Sequence, residues 1–214
     1  MHRFRFVASV ALILLAAPLL LAAIPAAAQD SQQLRAWCYD DKATADQVIQ
    51  GCDAVIASGR ESQQNLALAY SNRGSAWHRK RDFDRAMRDQ DQAIKLDPND
   101  AWNWHGRAVA YGQQGQYVRA IQDLDQAIRV DPKLFRPWVD RCWNRAFVNQ
   151  LQAALADCNE ALRLQPNDRN ALYGRGVARR KKGDAAGGNA DMEAAMKINP
   201  RLQQEFVQFG IKVD

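Results

Sequence analysis

Histidine is scarce in this chain, and the residue spacings that carry most chemistry are missing. Only three of the 214 residues are His. One of them, His2, falls in the basic N-terminal start. The other two, His78 and His105, have no Cys or carboxylate spacing beside them that completes a metal site. There is no Cys-x-x-Cys, which removes the usual dithiol redox motif. There is no nucleophile motif and no glycine-rich phosphate loop; Gly74, Gly115, Gly176 and Gly183 fit helix contacts and hairpin turns instead. The chain is read as non-enzymatic, with no cofactor and no metal.

A large excess of charge is missing too. The first 28 residues read as a secretory signal peptide. Met1 to Arg5 is a short basic start, Phe6 to Ile24 is apolar, and Ala26-Ala27-Ala28 is a small-residue cleavage site before Gln29. The alternative is a retained anchor, since the apolar run is long enough to span a bilayer. The segment carries Arg3 and Arg5 and no acid. Without it, the 29 basic and 24 acidic residues become 27 and 24, a net of +3. That is weak support for a polyanionic partner, and a nucleic-acid binder would show a clustered basic face. The expected location is periplasmic or secreted.

What the sequence does contain is a repeat. Pro98, Pro132, Pro166 and Pro200 stand 34 residues apart. Taking each as position 32 gives four units, 67–100, 101–134, 135–168 and 169–202. Position 8 is Gly74, Ala108, Cys142, Gly176; position 20 is Ala86, Ala120, Ala154, Gly188; position 27 is Ala93, Ala127, Ala161, Ala195. Small residues there let two helices approach closely. Position 4 is bulky, with Tyr70, Trp104, Trp138 and Leu172, and position 28 is apolar throughout, with Ile94, Ile128, Leu162 and Met196. Within each half the apolar spacing is helical, and the proline ends the second helix.

In period and column chemistry the chain resembles the tetratricopeptide repeat family. The resemblance implies an all-α fold: a right-handed superhelical solenoid of stacked antiparallel helical hairpins, about 14 residues per helix. Residues 29–66 read as a partial hairpin before the first repeat, and 203–214 as a capping helix and tail, because solenoid ends must be covered. Gly187 and Gly188 mark the second helix of repeat four as the least stable, since a helical Gly costs about 0.5–1 kcal/mol relative to Ala.

Two constellations recur within the units. Position 7 is Arg73, Arg107, Arg141 and Arg175, and position 23 is Asp89, Asp123, Asp157 and Asp191. Their joint recurrence predicts an ion pair inside each hairpin, since the arginine fork can bond both carboxylate oxygens. The competing reading is a ligand-binding arginine ladder. Cys142 and Cys158 fall on facing helices of repeat three, and Cys38 and Cys52 lie comparably in the N-terminal hairpin. Disulfides Cys38–Cys52 and Cys142–Cys158 are expected in an exported chain, against four buried free thiols.

The family's ligands lie along the concave face, at positions 2, 5, 9, 12 and 13 of each first helix. Carried to this sequence, that face includes Trp102, His105, Arg136, Val139, Trp143, Tyr173, Arg180 and Lys181. The family's carboxylate clamp needs Lys at position 5 and Asn at position 9, and no repeat has either. Trp104, Trp138, Trp77 and Trp37 read as core; Trp102 and Trp143 read as aromatic anchors for a partner, against packing on a neighbouring helix or terminal segment. The basic runs His78–Arg81 and Arg179–Lys182 suit helix C-termini or the rim of an acidic ligand's site. The expected partner is a protein or peptide. No nucleic acid and no stable membrane insertion after cleavage are expected. Weak self-association is the second reading.

Overall fold

A computed structural model describes residues 26–208, with side chains from Asp30 to Glu205. The expected signal segment up to residue 25 and the tail after residue 208 lie outside the described residues. So do the side chains of Ala26–Ala28 and of Phe206. The fold is all helical: α1 Ala26–Tyr39, α2 Ala45–Ala57, α3 Gln63–Arg79, α4 Phe83–Leu96, α5 Ala101–Gln113, α6 Tyr117–Val130, α7 Phe135–Phe147, α8 Leu151–Leu164, α9 Arg169–Lys181, α10 Ala185–Ile198 and α11 Leu202–Gln208. None of these helices is long and apolar enough to cross a membrane.

Local chemistry sets the helix ends. Asp97, Asp131, Gln165 and Asn199 each precede the repeat proline and are extended, with φ between −136° and −139°, because proline disfavours the helical region for the residue before it. Position 15 closes each hairpin in the left-handed region. It is Arg81 (φ 62°), Gly115 (73°), Asn149 (61°) and Gly183 (95°). Two of the four are glycine and one is Asn, the residues that tolerate it. No such proline precedes α3, which starts four residues before its unit on a Ser62 cap that accepts from Asn65 N. Helix α1 begins at Ala26, inside the expected cleavage site.

Every helix packs on the next, and each odd-numbered helix from α1 to α9 also touches the following odd one, whereas among the described residues the even-numbered helices do not touch one another. Odd helices therefore crowd and even helices splay. That bends the stack into a right-handed superhelix with α3, α5, α7 and α9 on its concave side. The small columns permit the approach: Ala86, Ala93, Ala120, Ala127, Ala154, Ala161 and Ala195 are all buried. Gly188 belongs to this set. A Cβ on it would lie 2.7 Å from the Gly176 carbonyl oxygen, and one on Gly176 would lie 2.7 Å from that of Gly188. The two glycines let α9 and α10 close on each other, so Gly188 weakens its helix and is also the packing requirement that its small-residue column predicts. At the C-terminal end Leu202 of α11 is buried in the cluster containing Met192 and Ala195.

Candidate functional site

The outer side of the stack carries a continuous polar ladder. In each repeat the position-7 arginine donates from Nε and Nη2 to both oxygens of the position-23 aspartate. The bonds measure 2.8 and 2.7 Å for Arg73–Asp89, 2.7 and 2.7 Å for Arg107–Asp123, 3.0 and 2.7 Å for Arg141–Asp157, and 2.7 and 2.7 Å for Arg175–Asp191. The third nitrogen, Nη1, reaches the preceding even helix: Asp53 at 2.6 Å, Asp91 at 2.6 Å, Asp125 at 2.6 Å and Asn159 at 3.0 Å. Aspartates two apart on one helix face different ways, and here Asp89 serves its own repeat while Asp91 serves the next. Hydrogen bonds donated to Asp89 hold the Arg73 guanidinium charged more firmly than usual, and those donated to Asp123 do the same for Arg107. Arg145 and Arg179 add bonds of 2.8 Å to Asp157 and Asp191. Burial pushes the Asp157 carboxyl up from its usual value, against the pull of Arg141 and Arg145.

The position-4 aromatics belong to this ladder. Trp104 and Trp138 are half-buried and donate from Nε1 to the carbonyls of Pro98 and Pro132 at 2.9 and 3.0 Å. Arg107 and Arg141 lie over their rings at 5.2 and 4.8 Å. Trp77 is half-buried beneath Arg85 at 3.7 Å, and Trp37 is half-buried against the first core cluster. Of the four tryptophans read as core, Trp37, Trp77 and Trp138 pack half-buried against core clusters, and Trp104 is half-buried. An indole N–H needs a partner, and for Trp104 and Trp138 the turn carbonyl supplies it at the edge of the stack.

The concave side is open at one end and filled at the other. Trp102 is 49 % exposed and Leu68, at the same position of the preceding repeat, is 46 % exposed. Arg136, Arg180 and Lys181 are exposed as well, with Lys181 Nζ donating to Ala146 O at 3.3 Å. Val139, Trp143 and Tyr173 do not line a free surface. They are 5, 7 and 0 % exposed and form one cluster. Trp143 stacks on Tyr173 with ring centroids 6.3 Å apart, and its Nε1 donates to Asn170 O at 3.1 Å. Gly174 makes the space, since a Cβ there would meet the Trp143 ring at 3.0 Å. The expectation that Trp143 anchors a partner is therefore corrected: it anchors α7 to α9.

The cysteine sulfurs sit at disulfide distance in both expected pairs, 2.10 Å for Cys38–Cys52 and 2.01 Å for Cys142–Cys158. A sequence profile described as the tetratricopeptide repeat matches residues 66–141. The fold is that of a tetratricopeptide-repeat solenoid. Among solved structures it is similar to MamA, from residue 41 to its end, of Desulfovibrio magneticus RS-1. The two are 15 % identical, the likeness covers 80 % of this chain and 94 % of that one, and the TM-score is 0.68. It is also similar to YrrB, described as a tetratricopeptide-repeat protein with an unusual peptide-binding site, at 16 % identity, 73 and 78 % coverage and TM-score 0.59. The second such domain of human RPAP3, solved with an HSP70 peptide, is 24 % identical, with 55 and 98 % coverage and TM-score 0.54. At these identities the likeness is one of fold. Curated protein sequences give no match.

Within the tetratricopeptide groove, His105 is partly buried. Its Nε2 bonds Asp140 Oδ2 at 2.7 Å, and its ring meets Trp102 edge-on at 5.5 Å. Among the described residues no three His, Cys, Asp or Glu side chains are placed to hold a metal ion. Sequence reasoning placed Leu68 in the position-2 column of the groove and passed over Asp140. Leu68 shares position 2 with Trp102, so its column gave the signal; nothing in the spacing pointed to Asp140.

Proposed function

We propose that this tetratricopeptide-repeat protein is an exported interaction scaffold of the bacterial cell envelope, periplasmic or secreted. It holds a peptide segment or protein partner on its concave face. The observation that carries the reading is the exposure of Leu68 and Trp102, which occupy one position of successive repeats on touching helices. Aromatic residues at such places are typical binding anchors. Arg136 adds an exposed cation at the same position of the next repeat. That peptides are held by proteins of this fold, as in the RPAP3 and YrrB structures, supports the same reading.

Export is supported by the order of residues 1–28 and by two cysteine pairs at bonding distance, which persist in oxidising compartments. The test is a photoreactive residue in place of Trp102, crosslinked in the native envelope and read by mass spectrometry. One dominant crosslinked protein is expected. Self-crosslinks alone would replace the scaffold reading with self-assembly.

A further inference from the structure

Side chains of α3, α5 and α7 act on one another in a polar cluster that the ladder does not use; α3 touches α5 and α5 touches α7. Asp140 of α7 accepts from His105 Nε2 of α5, so that nitrogen carries the hydrogen. The backbone carbonyl of Asp140 accepts from Asn144 Nδ2 at 2.7 Å, which fixes the Asn144 amide with its oxygen turned away. His78 closes the cluster from α3. Its ring packs on Phe83 of α4 at 5.4 Å, and its Nε2 is sealed from solvent with no hydrogen-bond partner. Asn144 Oδ1 is sealed and unpartnered likewise. The charged and titratable groups that act on His78 are Arg81 in the turn after α3, His105 on α5 and Asp140 on α7.

A sealed ring nitrogen without a partner is least costly as a bare nitrogen. An N–H there would be an unsatisfied buried donor, and an imidazolium would add a buried charge. The closed arrangement therefore fits neutral His78 with its hydrogen on Nδ1.

We propose that His78 is a proton-operated latch on the concave groove: neutral, it lets α3 close against α5, the helix that carries Trp102, and protonated, it turns out to water and loosens the groove there. That the latch controls recognition rests on the scaffold reading; the opening itself does not. Burial holds the His78 pKa below the usual histidine value, Arg81 and His105 act in the same direction, and Asp140 acts against them. The sign follows. At neutral pH the ring is uncharged whether folded or unfolded. As pH falls below the ordinary value of 6.5, the unfolded or opened chain takes the proton first. Closure then loses stability down to the depressed folded value and levels off beneath it.

The test is a pH titration of the whole protein by NMR, following the His78 ring and the Trp102 indole together, without any partner. His78 is expected to titrate below the ordinary histidine value, and the Trp102 signal to move with the same midpoint. In His78→Gln that movement disappears. Arg81→Gly is the second variant. It removes a like charge and relieves a positive φ, so it folds, and the shared midpoint rises. A His78 midpoint at or above the ordinary value would overturn the latch. So would a Trp102 response that survives His78→Gln, or a midpoint unmoved in Arg81→Gly. A working latch with no crosslinked partner at Trp102 would overturn the scaffold reading alone.

Discussion

Replacing Asp157 with Ala tests the energetic reading of the ladder most sharply. The Asp157 side chain is 3 % exposed and receives three guanidinium bonds, two from Arg141 at 3.0 and 2.7 Å and one from Arg145 at 2.8 Å. Removing it leaves Arg141, itself 11 % exposed, with only its outer bond to Asp125. Breaking a buried pair from one side costs about 3–5 kcal/mol, because the remaining charge stays desolvated. Asp125→Ala is the matched control. Its side chain is 41 % exposed and accepts one close bond, from Arg141 at 2.6 Å, so its loss costs roughly 0.2–1 kcal/mol. Thermal melts should separate the two variants by on the order of 10 °C for a chain of this size. Hydrogen exchange should show the Asp157→Ala loss concentrated in α7 and α8, since a solenoid opens repeat by repeat. The double variant Arg141→Met with Asp157→Leu should recover much of the loss, because the most buried charge leaves with its partner, and Arg145 and Asp125, 3.7 Å apart, remain to pair with each other. Equal melts for Asp157→Ala and Asp125→Ala would refute the reasoning, and so would a double variant no better than the single one.

Other outcomes follow from the packing. Trp143→Ala should cost about 3–5 kcal/mol as a buried aromatic truncation, whereas Trp102→Ala should stay within about 0.5 kcal/mol and lose the crosslinked partner; chemical denaturation and capture assays read the two effects. Gly188→Ala should destabilise by about 1–3 kcal/mol through overpacking against the Gly176 carbonyl, despite Ala's better helix propensity. Gly112→Ala, whose Cβ would meet only Asn144 Oδ1 at 3.3 Å, should be far milder in the same melt. Replacing Cys142 and Cys158 by Ser should cost roughly 3 kcal/mol in the chain-entropy account. Alkylation of the unreduced wild type should label no cysteine, and four labelled thiols would disprove both pairs.

One regularity was present in the columns and only the structure gave it meaning. Repeats one and two carry an aromatic at position 11 and Arg at position 19, with Arg85 lying 3.7 Å over Trp77 and Arg119 lying 5.8 Å over Tyr111. Repeats three and four instead carry Arg145 and Arg179 at position 11, opposite Ala153 and Gly187. The cation has moved from the second helix to the first, where it reaches Asp157 and Asp191. Each column alone looks variable; together they preserve a guanidinium at that contact.

By itself the sequence determined what depends on short separations. The 34-residue proline period fixes the units, and small residues at positions 8, 20 and 27 fix how one hairpin closes. Arg and Asp 16 residues apart within a hairpin, or Cys142 and Cys158 at the same separation, have their meeting set by helix geometry and one turn. The tertiary structure decided what passes between repeats. It joined Arg107 to Asp91 of the preceding repeat and His105 of α5 to Asp140 of α7. It also closed half of the expected groove. Trp143 and Trp102 are both groove-position tryptophans, but Gly174 leaves Trp143 a slot beside Tyr173, and Trp102 remains 49 % exposed. Exposure at those positions depends on the size of side chains on the next helix, a term that no single repeat contains.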